Sequence, residues 1–168
     1  MSVENLISTL EKLERMHKSL LELANKKTDL IKANDMEQLD DMLKTEQAHV
    51  AAIETLEQQR QKMVTDYLQA KGIAFTGTPT VAQVIDAADG AEKQALQEVR
   101  ERLVELVTTL KQQNDLNQKL VFQSLQFVNF TLDMLQPQRN QTNTFNYSGA
   151  EVRGEANIAK KSYYNSQA

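Results

Sequence analysis

The chain has 168 residues, 40% hydrophobic, 25% charged and 5% aromatic with no tryptophan, which suits one domain with a Leu-rich helical core better than a β-sandwich. A net charge of −4 argues against a nucleic-acid partner, because few counterions could be released from a phosphate backbone. The absence of cysteine excludes disulfides, thiolate catalysis and zinc–sulfur sites, and no stretch approaches the ~18 apolar residues of a membrane span.

The first residues, MSVENLISTLEKLER, carry neither a basic n-region nor a continuous apolar run. They predict no signal peptide and hence a cytoplasmic location. A first helix is predicted from Val3 to Ala33. Leu6, Leu10, Leu13, His17, Leu20, Ala24 and Ile31 recur at helical spacing, with Lys27 as the one break. Ser2 can cap its start, and Asn34-Asp35 forms the turn, with Asp35 capping the next helix.

A second helix is predicted from Met36 to Ala70. Its stripe runs Leu39, Met42, Leu43, Glu46, Val50, Ile53, Glu57, Arg60, Val64, Tyr67 and Leu68. Gly72 is free to adopt the left-handed cap that ends it. A break this short makes the two helices antiparallel neighbours. Centring the hairpin on Asn34-Asp35 sets His17 roughly opposite Ala52 and Glu46 roughly opposite Leu23, within reach of Lys27.

Residues 73–79 read as a loop. Thr78-Pro79 then opens a short helix with Pro at its first position and Val81, Val84 and Ile85 on its buried face. A third long helix is predicted from Ala91 to about Leu135, where Pro137 stops it. At 1.5 Å per residue it spans about 65 Å, against ~45–50 Å for the other two, so it can overhang them.

That last helix carries more apolar surface than one packing contact needs. One stripe runs through Leu96, Val99, Leu103, Leu106, Val107 and Leu110 and continues as Val121, Leu125, Val128, Leu132 and Leu135. It is interrupted by Asn114 and Asn117. A second stripe, Leu116, Leu120, Phe127, Phe130 and Met134, starts only near the carboxyl end. The first is expected to pack within the chain. The second is expected to bury against a partner helix, a twin subunit or a folded-back tail.

From residue 137 the composition turns to Asn, Gln, Ser and Thr with widely spaced aromatics, Phe145, Tyr147, Tyr163 and Tyr164 among them. Such a segment cannot offset its own ordering entropy. The predicted organisation is therefore a helical domain at 1–136 and a flexible tail at 137–168, which orders on binding a partner. The fold class is all-α: an antiparallel helical hairpin, a short helix and a long C-terminal helix, three long helices in a bundle.

Few residues suggest chemistry. Glu14-x-x-His17 and Glu46-x-x-His49 have the spacing that holds a di-iron centre in helical bundles. Such a centre also needs a Glu from each of two further long helices, and only one exists. The two motifs also stand about a turn and a half out of step. No metal, cofactor or small-molecule substrate is expected. No nucleophile elbow, phosphate loop or catalytic triad is present, so no enzyme activity is expected. Glu46, Glu57, Arg60, Asn114 and Asn117 lie inside apolar stripes, where polar groups fix register. Glu57 and Arg60 are spaced to pair on one face.

The interruptions carry a likeness. Leu6, Leu10, Leu13, Leu20 and Leu21 precede Lys26-Lys27 and Asn34-Asp35. Leu39, Leu43, Glu46 and Leu56-Glu57-x-x-Arg60 follow. The last helix has Asn114-x-x-Asn117, Leu120, Ser124-Leu125 and Phe127. In this order and spacing, over residues 3–135, the chain resembles FlgN, the flagellar export chaperone for the hook–filament junction proteins. The tail, with Tyr147 and Gly149, is similar to those of Gram-positive members.

The resemblance implies a cytoplasmic, non-enzymatic chaperone of flagellar type III export. It would hold hook-associated proteins unpolymerised and deliver them to the export apparatus. Their C-terminal amphipathic helices would dock on the carboxyl-terminal part of the chaperone, where Leu116, Leu120, Phe127, Phe130 and Met134 lie. A structural coiled-coil adaptor, dimerising through the same helix, is the other protein the doubled stripe would suit.

Overall fold

The computed structural model describes residues 3–135. Four helices follow in order: α1 (Val3–Ala33), α2 (Met36–Ala70), α3 (Val81–Ala87) and α4 (Gly90–Leu135). The fold is all-α, as the periodicity predicts; the segment expected to be a flexible tail lies outside the described residues.

Local chemistry sets the helix ends. Asn34 adopts a left-handed φ of 55°. The Asn34 N–H then donates to the Ile31 carbonyl at 3.1 Å and the Asp35 N–H to that of Leu30 at 3.0 Å, closing α1 with a Schellman motif. Asp35 next caps α2, its Oδ1 accepting from the Gln38 N–H at 3.2 Å. Gly72, at φ 68°, closes α2 the same way through Ile73 N–H to Leu68 O at 2.9 Å. The start of α3 corrects the sequence expectation. Thr80, not Thr78, is the N-cap, and a capping box joins it to Gln83. Pro79 therefore stands ahead of the cap rather than at the first helical position.

α1 is the element around which the rest assembles, packing along both α2 and α4. Its inward side chains include Leu6, Leu10, Leu13, Leu20 and Ala24, all nearly inaccessible to solvent. α3 lies against α2 and α4 and adds Val81, Val84 and Ile85 to the same core. Burial is uneven along the molecule. Val64 and Leu68 of α2 are completely enclosed, whereas Leu43, nearer the hairpin turn, is exposed.

The α1–α2 register differs from the turn-centred expectation by about one helical turn. Lys27 Nζ meets Glu46 at 3.2 Å, and the Thr9 hydroxyl meets Met63 Sδ at 3.5 Å. These pairs set Ala33 level with about Asp40, so the first turn of α2 is spent passing the end of α1. Glu46 thus stands opposite Lys27 rather than Leu23, and His17 nearer Leu56 than Ala52. The two Glu-x-x-His pairs end up further apart still. Glu14 is turned toward α4 and Glu46 toward Lys27. Among the described residues no group of three or more His, Asp or Glu is placed to hold a metal.

His17 is buried at 2% exposure, and its Nδ1–H donates to the Leu13 carbonyl at 2.7 Å. Burial pushes its pKa below the ordinary histidine value, only partly opposed by that hydrogen bond and by the Glu57 charge. The unfolded chain, with an ordinary histidine, therefore binds more protons than the folded one below about pH 6.5. Stability is expected to be full above that pH and to fall as the pH drops through it toward the lower folded value. Urea melts between pH 7.5 and 5 will show this slope, and His17→Gln will flatten it.

Candidate functional site

The ion pairs and amides between α1 and α4 set how far α4 extends beyond its support. Arg102 forks onto Glu14, Nε to Oε1 at 3.1 Å and Nη2 to Oε2 at 3.4 Å. Burial alone would raise the Glu14 pKa. The Arg102 hydrogen bonds and charge, helped by Lys18, outweigh this and hold it below the usual carboxylate value. Ten residues further along α1, Asn117 Nδ2 donates to the Ala24 carbonyl at 2.8 Å. The Thr28 hydroxyl donates to Asn117 Oδ1 and accepts from Gln113 Nε2. Asn117 and Thr28 are both buried.

These contacts are parallel: α4 ascends as α1 ascends. They bring Ala33, the last residue of α1, level with about Val121. Beyond it α4 continues past the end of α1 to Leu135, about 14 residues or roughly 20 Å. The overhang follows from the Schellman stop at Asn34, the polar register lock at Asn117, and the helical spacing of α4 carrying on past both.

No residue of α4 beyond Asn117 is buried. Of the second stripe, Phe127 is 70% exposed and Phe130 62%; Met134 and Leu116 are also exposed, while Leu120 is half-buried. The first stripe was expected to pack within the chain, and it does so only as far as the bundle reaches. Val121 is half-buried, but Leu125, Val128, Leu132 and Leu135 are exposed, Leu135 by 73%. The reason is that α1 has ended: the face that packs on Leu13 and Leu20 lower down has nothing to pack on higher up. Nine of the twelve exposed large hydrophobic residues described lie on α4 from Leu116 onward, a concentration of the kind that marks an interaction surface. The surface is also nearly neutral, with Asp133 the one charge between Leu120 and Leu135.

The polar residues singled out within the stripes fall elsewhere. Arg60 is buried, its Nε and Nη2 donating to Glu57 Oε2 at 3.0 and 2.9 Å. Glu46 holds Lys27 across the hairpin. Asn117 is the α1–α4 lock, and Asn114 is half-buried outside it. None of them lines the overhang. Two partners escaped the sequence pattern. Thr28 lies one turn after Ala24 on the apolar face of α1, a placement that could have shown it. Glu14 follows Leu13 directly, at the edge of that face, where a long-range Arg partner leaves no local trace.

Among the described residues no helix is long and apolar enough to cross a membrane. An uncharacterized protein of Bacillus subtilis (strain 168), YvyG, is 32% identical over 148 residues, 88% of each chain. No solved structure matches the chain. The family model described as FlgN protein matches residues 1–153, all of the helical body and a further stretch beyond α4. By that match the chain belongs to the FlgN family, the flagellar export chaperones.

Proposed function

We propose that this protein is a cytoplasmic chaperone of flagellar hook-associated (hook–filament junction) proteins. It binds their C-terminal amphipathic helices on the overhanging end of α4, prevents their premature polymerisation and delivers them to the export apparatus. The observation that carries this is the solvent exposure of Phe127, Phe130 and Met134 on a helix that has outrun its own bundle. An apolar helix face left bare costs solubility unless a partner uses it, and an amphipathic helix laid lengthwise on it buries apolar surface on both sides. Family membership supports the flagellar setting.

The competing reading, a structural adaptor that dimerises through the same helix, predicts a tight dimer that hides this surface before any partner arrives. Purified full-length chain mixed with full-length hook-associated proteins is expected to form a stable complex and to suppress their self-assembly. Hydrogen exchange in that complex is expected to slow at residues 116–134 first. Protection confined to the α1–α2 hairpin would place the docking surface elsewhere.

A further inference from the structure

Resting on that docking surface, we infer that the overhang of α4 is sheathed by two helices of one client, not by one. With Leu116 as origin and about 100° per residue, the second stripe spans about 40° to either side. The first stripe lies between about 100° and 180°. Ser124 and Thr131 fall between the two stripes. Their hydroxyls donate to their own helix, to the Leu120 and Phe127 carbonyls, each at 2.9 Å. They therefore present small side chains with their donors already used. Between Leu120 and Leu135, Gln123 is the only other polar residue in an arc of about 220°. A packing helix covers an apolar stripe of about 100° or somewhat more. One helix leaves half of this arc wet; two cover it.

The position of the first helix follows from the fold. The first stripe points the same way as Leu96, Val99, Val107, Leu110 and Asn117, the residues of α4 buried in the body. On the overhang that direction is the path α1 would have taken had it not stopped at Asn34. A client helix seated there continues α1 end to end. The second client helix covers Phe127, Phe130 and Met134, and α4 becomes the central strut of a three-helix bundle built from two molecules. A second copy of this chain is a poorer occupant, because it brings one α4 to each α4 and leaves one stripe of each bare. With Asp133 as the only charge between Leu120 and Leu135, the client helices are held by apolar contact with neutral flanks, and binding is insensitive to salt.

The natural chain has no cysteine, so single cysteines can report each stripe separately. Full-length Leu132→Cys and Phe130→Cys variants are reacted with a maleimide, with and without a full-length hook-associated protein. The expected result is slowed labelling at both positions in a complex of one chaperone with one client. Leu132→Asp and Phe130→Asp, both at exposed sites, are each expected to weaken binding by about 30-fold or more. Raising NaCl from 50 to 500 mM should change Kd by less than about threefold. Protection at Phe130→Cys alone, with Leu132→Asp binding normally, overturns the two-helix sheath while leaving the docking surface in place. Protection at neither position in a complex that does form overturns the docking surface itself. Protection of Leu132→Cys in the free chaperone, with a dimeric mass, overturns the sheath in favour of self-association.

Discussion

Replacing Phe127 and Phe130 together by aspartate is expected to weaken client binding by about 100-fold or more, while helix content and the thermal melt barely change. Both rings stand in solvent, so the free chaperone gives up no core contact when they are removed. In the complex each ring would be buried, worth about 2–3 kcal/mol. An aspartate in its place must also be desolvated against an apolar partner helix. Titration by calorimetry, beside circular dichroism of the same samples, checks the result. Leu120→Asp is a less clean test. Leu120 is half-buried, one turn above the Asn117 lock, so a charge there acts on the bundle as well as on the docking face. Unchanged affinity for the Phe127/Phe130 variant would remove the overhang from the binding surface.

Glu57→Ala is expected to be the most damaging single change among the ion pairs, costing about 2–3 kcal/mol and lowering Tm by roughly 6–12 °C. The Arg60 side chain is 5% exposed, and Glu57 is its acceptor at 2.9 Å. Removing the carboxylate leaves the buried Arg60 guanidinium without its acceptor. Replacing both residues by leucine is expected to restore most of the stability, since it removes the buried charge along with its partner. Lys44 with Asp40 provides the contrast. That pair is about 70% exposed on both sides, and breaking it should cost less than about 1 kcal/mol. Urea unfolding of the three variants separates these cases.

Much of this molecule is written in local spacing. The bounds of α1 and α2, the Asp35 cap and the Gly72 stop are all effects of neighbours within a few residues, and they can be read without the fold. The doubled stripe on α4 is visible for the same reason, since 3.6-residue periodicity needs no partner to be counted. The capping box at Thr80 and Gln83 was also local, but Pro79 gave a competing cue at the first turn, and a proline can stand ahead of a cap as easily as behind one.

Relative placement was not legible in this way. The chain determined which residues line each helix face, and that α4 is longer than the helices it packs on. Only the tertiary structure decided that α4 runs parallel to α1, that Asn117 and Thr28 fix their register, and that α1 stops level with Val121. Those three facts bare the first stripe as well as the second, and no periodicity could show it, because a side chain's position on a helix says where it points and not whether anything stands there. Burial is a property of two surfaces, and the sequence of one helix specifies only its own.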